Sequence, residues 1–233
     1  MKKFEYTPPE QPRELILKLG QKITDRIGHT VTAEDPEYYG LEALVTDEMA
    51  EVALKMKVRK PMTLAQAVKA TGKEEKVLEE LLQEMSNIGL LEYNWENPKH
   101  EKQYVLPMYV PGSAEFFNMK LDQIKEHPEV TSFFERMAFL PLQKVTPMVP
   151  PGGAGIGMHV IPVEKAIETE NESVSVEHIS HWLDKYDGKY AAGPCSCRYS
   201  RGVLGEGCAD DPEDWCIGVG DMADYLVETN KGH

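Results

Sequence analysis

The first 194 residues of this 233-residue sequence contain no cysteine. The sequence also lacks a run of about 20 apolar residues, which a membrane-spanning helix would need. Its N-terminus turns to proline and glutamate where a secretory signal would have an apolar stretch. We therefore expect a soluble protein that stays in the cytoplasm, has no membrane partner and does not depend on disulfide bonds for its fold.

Basic charge and familiar catalytic motifs are also scarce. The net charge of −14 would repel a phosphate backbone, and no basic patch stands out. The glycine-rich run at 152–157 lacks the strand–turn–helix context of a phosphate-binding loop. No dinucleotide fingerprint, flavin motif or catalytic triad is recognisable. We expect that the chain by itself catalyses nothing.

The N-terminal half has the sequence pattern of short helices. Residues 1–40 are predicted to form an N-terminal arm that includes a short helix at 15–23. A helical pattern then runs from Thr46 until Pro61 stops it. Two capping boxes, Thr63 with Gln66 and Thr71 with Glu74, predict two further helix starts in quick succession.

The second of these helices is predicted over 73–87, with an apolar stripe that includes Val77 and Leu78 and a stop at Gly89. Two β-prone runs, LLEYNW and QYVLPMYV, follow and are predicted to form a hairpin. Over residues 41–110 this pattern resembles the winged helix-turn-helix family. We expect a helical segment and linker at 111–170 to come next.

The helix that would enter a DNA groove in such a family is acidic. It carries two lysines, at 73 and 76, and five glutamates, at 74, 75, 79, 80 and 84. Phosphate contact requires the opposite charge. We therefore favour dimerisation or docking over DNA binding as the role of this region, and a homodimer is one expected form.

All four cysteines lie between residues 195 and 216, with the spacing C-x-C-x10-C-x7-C. Four thiolates are a complete ligand set for one cubane iron–sulfur cluster. Zinc also accepts four cysteines, but structural zinc sites usually use C-x2–4-C pairs. Disulfides would need an oxidising compartment, and a bridge between Cys195 and Cys197 would be strained. The spacing favours a cluster and leaves zinc as the alternative.

The segment PCSCR, GxGC, PEDWC and GVGDMADYLVE resembles the cluster-binding region of a family of anaerobe oxidoreductases. The similarity extends to PGSAEFF at 111–117 and VIPVEKAIE at 160–168. The resemblance implies that Cys195, Cys197, Cys208 and Cys216 bind a [4Fe–4S] cluster, with Arg198 as the basic residue beside them. It also implies that ferredoxin-like or flavin and pyridine-nucleotide modules follow in longer relatives.

The sequence thus predicts a mainly α protein with a small β component, an α+β fold. A winged helix-turn-helix domain at 41–110 would precede a small, loop-rich iron–sulfur domain at 171–233. We expect electron transfer within an anaerobic oxidoreductase system, with a redox protein or downstream modules as partners. The alternatives are a redox- or oxygen-sensing transcription regulator and a zinc-stabilised interaction module.

Overall fold

A computed structural model of the chain describes residues 6–132, 179–203, 205 and 216–233. These residues form short helices and two small antiparallel sheets, which confirms the α+β class. The predicted ligand Cys208, the glycine-rich run at 152–157 and most of the segment at 111–170 lie outside the described residues. Among the helices that are described, none has the length and apolar character needed to cross a membrane.

The element bounds define the labels used below. The helices are α1 (Glu14–Ile23), α2 (Pro36–Leu44), α3 (Asp47–Lys55), α4 (Leu64–Thr71), α5 (Glu75–Ile88), α6 (Ser113–Asn118), α7 (Leu121–Glu126), α8 (Ile179–Lys185), α9 (Ser196–Val203) and α10 (Asp221–Glu228). A 3-10 helix spans Pro128–Ser132. The strands are β1 (Met62–Thr63), β2 (Glu92–Asn94), β3 (Gln103–Val105), β4 (Tyr190–Gly193) and β5 (Cys216–Val219).

The first two helices belong to the core. Helix α1 is amphipathic, and its Ile16, Leu19 and Ile23 are fully buried. Helix α2 adds Tyr38 and Tyr39, which are also buried. The region that we predicted to be an N-terminal arm therefore contributes apolar side chains to the same core as the rest of the chain.

The predicted start of α3 is confirmed, because the Thr46 hydroxyl accepts a hydrogen bond from the Met49 N–H. Its predicted end is wrong, since the helix stops at Lys55, before Pro61. Tertiary pairing explains the early stop: Val58 bridges to Leu106, and the Arg59 N–H donates to the Leu106 carbonyl at 2.8 Å. The backbone there forms extended pairing instead of another helical turn.

Of the two predicted capping boxes, the first is confirmed. Thr63 and Gln66 exchange both hydrogen bonds at the start of α4. The second is wrong, because Thr71 is the last residue of α4 and Glu74 itself caps α5. The Glu74 carboxylate accepts from two backbone N–H groups of the first turn, those of Lys76 and Val77.

Helix α5 buries the predicted stripe in part. Leu78, Leu82 and Met85 are buried, whereas Val77 is 51% exposed and faces away from the core. The helix ends at Gly89, whose φ of 103° is left-handed. A side chain at Gly89 would also collide with the backbone of Phe116, so glycine is required there for two reasons.

The predicted hairpin is confirmed as β2 and β3, and a third strand extends it. Strand β3 lies between β1 and β2 in an antiparallel sheet. Tyr104 is paired with Met62 on one side and with Tyr93 on the other. Three aromatic rings, those of Tyr93, Tyr104 and Trp95, cluster on and beside this sheet.

The C-terminal segment packs on this sheet and on α5. Tyr93 donates to Glu228 at 2.7 Å, and the Trp95 N–H donates to Asp221 at 2.8 Å. The fully buried Lys231 donates to the carbonyls of Ser86 and Asn87, at 2.9 and 3.0 Å, where α5 ends. The Ser86 carbonyl also accepts a hydrogen bond from the Gly89 N–H at 3.1 Å, so Lys231 adds to the hydrogen bonds that satisfy the carbonyls at the end of the helix. The cysteine-bearing elements are thus anchored to the N-terminal core.

Candidate metal centre

Three of the four predicted cysteine ligands lie in the described residues, at the junctions of regular elements. Cys195 directly precedes α9, and Cys197 lies in its first turn. Cys216 is the first residue of β5 and is paired with Gly193 of β4. Because only Pro194 separates Gly193 from Cys195, the pairing of the two strands brings Cys216 next to the start of α9.

The thiol groups meet at Cys195. Its sulfur is in hydrogen-bonding contact with the thiols of both Cys197 and Cys216. The backbone N–H groups of Cys197 and Arg198 also point to the Cys195 sulfur, and that of Ser196 points to the Cys216 sulfur. A helix start supplies such unpaired N–H groups. The arrangement therefore directs backbone donors at sulfur atoms, as a site for anionic thiolates requires.

These contacts make the three thiols unequal. Hydrogen bonds donated by Cys197 and Cys216 lower the pKa of Cys195. The pKa values of Cys197 and Cys216 are raised, first by their contact with Cys195 and then by burial. Without a cation the site therefore favours one thiolate, at Cys195, stabilised by two neutral thiols. A metal centre would be needed to make all of them anionic.

Within the described ranges, no group of three or more His, Cys, Asp and Glu side chains has an arrangement that would hold a metal ion. Cys195 instead forms hydrogen bonds with the thiols of Cys197 and Cys216. The fourth predicted ligand, Cys208, lies outside the described residues. Each of the three described thiols is partly exposed, so reagents can approach.

Gly193, two residues before the first cysteine, permits a close approach of the backbone. The Lys231 carbonyl lies where a side chain of Gly193 would be. The neighbouring Ala192 exchanges two backbone hydrogen bonds with His233, at 2.9 and 2.8 Å. Glycine thus allows the C-terminal residues to pack against β4, two residues from Cys195.

Helix α9 holds the first two cysteines against the N-terminal core. Its buried Ser196, Tyr199 and Ser200 face inward, and the helix packs against α6 and the 3-10 helix. The Ser200 hydroxyl donates to the Cys197 carbonyl at 3.0 Å. The predicted basic neighbour, Arg198, lies in the same helical turn as Cys197 and is partly buried. Rigid packing on a formed core is what a preorganised site needs.

Sequence reasoning missed an acidic neighbour of the site. Glu115, in the first turn of α6, exerts a charge effect that raises the pKa values of Cys197 and Cys216. Burial raises the pKa of Glu115 itself, although its carboxylate accepts a 2.7 Å hydrogen bond from the Gly112 N–H, which lowers it. Glu115 is 80 residues before the first cysteine, so only the packing of α9 on α6 could reveal this proximity.

A second surface feature lies on the sheet region. A groove of about 440 Å³ runs between α5 and β3, and three glutamates line it, Glu79, Glu80 and Glu84. Its two lysines are Lys76 and Lys102, and the Lys102 ammonium sits 3.7 Å from the centre of the Tyr93 ring. The Tyr93 ring therefore stabilises the positive charge of Lys102 through a cation–π interaction. The groove is not a surface that would attract phosphate.

Comparisons with known proteins yield no match to a protein-family model, to a curated protein or to a solved structure.

Proposed function

We propose that this chain is an electron-transfer protein that binds one [4Fe–4S] cluster through Cys195, Cys197, Cys208 and Cys216. The observation that carries the proposal is the meeting of three thiols at Cys195, from a helix start and a separate strand. Four cysteine thiolates are the usual ligands of such a cluster. When bound, the cluster would accept and release single electrons.

The residues present fit this group in three respects. The donors are soft sulfur atoms, which iron–sulfur centres select. Backbone N–H groups of Ser196, Cys197 and Arg198 are directed at two of the sulfurs and would stabilise their negative charge. The thiols are neither fully buried nor fully exposed, which allows exchange of electrons with a partner. Glu115 acts in the opposite sense, because its carboxylate would disfavour the added electron.

The surrounding fold supports the same role. Helix α9 rests on α6, and β4 is fixed to the C-terminal residues through Ala192 and His233. Such anchoring would keep the ligands in place when the charge of the site changes. We propose a cytoplasmic redox protein, or modules that follow in a longer chain, as the electron donor and acceptor in an anaerobic oxidoreductase system.

The order α3, β1, α4, α5, β2, β3, with β3 between the other two strands, supports a winged-helix organisation for residues 41–110. This favours a second candidate, a redox- or oxygen-sensing regulator that binds DNA. The charge of α5 opposes it, because Glu75, Glu79, Glu80 and Glu84 are exposed on the helix that would contact phosphates. We therefore assign this region to docking or dimerisation.

Isolation of the chain without oxygen tests the main proposal. We expect about four irons and four sulfides per chain and a brown chromophore, with a paramagnetic signal after dithionite reduction. One zinc per chain with no colour would contradict it and favour the zinc-stabilised interaction module. A gel-shift titration at two salt concentrations tests the regulator, and we expect no sequence-specific, salt-sensitive DNA binding.

A further inference from the structure

We propose that in the cluster-free chain Cys195 and Cys216 form a reversible disulfide when oxidised glutathione is present, and that this bond blocks loading of the cluster. The formation of the bond is inferred from the positions of the thiols and does not require the proposed function. Its regulatory consequence rests on the proposed function, because a disulfide would withdraw two of the four proposed ligands.

The geometry selects Cys216 as the partner of Cys195. The two side chains belong to different elements that are already adjacent, since the backbone of Cys216 is paired with Gly193 and the two thiols are in contact. Disulfides need Cα atoms about 4.4–6.8 Å apart, and Cys195 is only two residues beyond the Gly193 that pairs with Cys216. The bridge would link β5 to the start of α9 without moving either element far.

The other contact of Cys195 is a poor candidate. A bridge to Cys197 would close a small ring over one residue at the start of a helix. There the Cys195 carbonyl accepts hydrogen bonds from the Arg198 and Tyr199 N–H groups, at 3.1 and 2.9 Å. A strained ring at this point would disturb the first turn of α9. Bridging to Cys216 leaves those hydrogen bonds intact.

The chemistry balances as two thiol–disulfide exchanges. The Cys195 thiolate attacks one sulfur of oxidised glutathione, breaks its S–S bond and releases one glutathione, which takes up the proton that Cys195 lost. The Cys216 thiolate then attacks the Cys195 sulfur of the mixed disulfide and releases the second glutathione, again with transfer of one proton. Two cysteine thiols are oxidised, and one glutathione disulfide is reduced to two thiols.

The test uses the full chain, stripped of metal, fully reduced and then incubated with oxidised glutathione. Alkylation, digestion and mass spectrometry identify the linked peptides. We expect free thiols to fall from four to two, and the main cross-linked product to join Cys195 to Cys216. A main product that joins Cys195 to Cys197, any bond that uses Cys208, or glutathione adducts without a cross-link would overturn the proposal.

A matched set of variants guards against a folding artefact. Cys197→Ser should keep the cross-link, whereas Cys195→Ser and Cys216→Ser should abolish it. Iron and sulfide uptake by the oxidised chain should fall to less than about a tenth of that of the reduced chain and recover after reduction. If the cross-link forms but the reduced chain takes up no iron, the proposed function fails and the disulfide stands. If iron is taken up but no Cys195–Cys216 bond forms, the disulfide proposal fails and the proposed function stands.

Discussion

The sheet region comprises α3 to α5 and β1 to β3, and the cysteine region comprises β4, α9 and β5. The two regions differ in the side chains that they place together. The sheet region points its apolar residues inward and leaves a surface of glutamates. The cysteine region brings three thiols together at the ends of two elements. The exposed glutamates of the sheet region would repel phosphate, so a fold prediction alone does not assign this region a function. We therefore base the proposed function on the thiols of the cysteine region.

The largest expected effect separates the two regions directly. Replacing Cys195 with serine should reduce bound iron from about four per chain to less than about one, because the residue contacts both other described thiols. Iron and sulfide assays on anaerobically loaded protein measure this. Thr63→Ser, a replacement in the sheet region, is the control and should load normally. Equal iron content in both variants would mean that the cysteine region does not hold the cluster.

Lys231 links the C-terminal residues to the end of α5 in the sheet region. Burial, followed by the charge of Lys120, lowers the pKa of Lys231 to about 6 from an ordinary value of 10.5. Between these two values the unfolded chain binds a proton that the folded chain does not. The free energy of unfolding should therefore rise with pH across this window, by about 6 kcal/mol at most.

Lys231→Met should flatten that rise, since it removes the titrating group. Urea unfolding of the cluster-free chain at pH 6, 7.5 and 9 measures the slope. Lys99→Met, at an exposed position, is the matched control and should keep the slope of the unsubstituted chain. An equal slope in all three proteins would show that Lys231 keeps its proton in the folded state across this pH range and would contradict the prediction.

A smaller effect is expected at the acidic neighbour of the thiols. At a pH above the pKa of Glu115, Glu115→Gln should raise the reduction potential by roughly 40 mV, about 1 kcal/mol for one electron. The reason is that reduction adds negative charge near this carboxylate. The difference should vanish at low pH, where protonation neutralises Glu115.

Redox titration monitored by visible absorption gives these potentials. Glu126→Gln, at an exposed position on α7, is the control and should leave the potential unchanged. A lower potential in the Glu115 variant, or a shift of equal size in the control, would contradict the placement of Glu115 beside the site.

The smallest effect lies in the sheet region. Thr63→Ala should lower the free energy of unfolding by about 1 kcal/mol, because the capping hydrogen bond to the Gln66 N–H is lost. Thr63→Ser should retain most of the stability. Iron content should be the same in both variants. A loss of iron in Thr63→Ala would show that the two regions are less separate in function than we infer.

Local rules predicted much of the sheet region from the sequence. Thr46, Thr63 and Gly89 mark helix ends through interactions within a few residues, so their positions are readable without tertiary information. Tertiary contacts decided the rest. The early end of α3 depends on pairing of Val58 and Arg59 with Leu106, more than 40 residues away.

For the candidate site, the cysteine spacing predicted a common metal centre, which stays a prediction. Among the described residues Cys195 contacts Cys197 and Cys216, but no group there is arranged to hold a metal ion. Three features had no local signal. The charge of Glu115, the packing of Gly193 against Lys231 and the anchoring of Lys231 at the end of α5 all join residues that are distant in sequence. Spacing predicts ligands, whereas their electrostatic environment depends on the fold.

The most direct test of the central claim is native mass spectrometry of the chain after anaerobic reconstitution with iron and sulfide. The account predicts one dominant species whose added mass corresponds to four irons and four sulfides, and loss of that species in Cys195→Ser. A dominant species with a single zinc ion, or a metal-free chain after reconstitution, would contradict it.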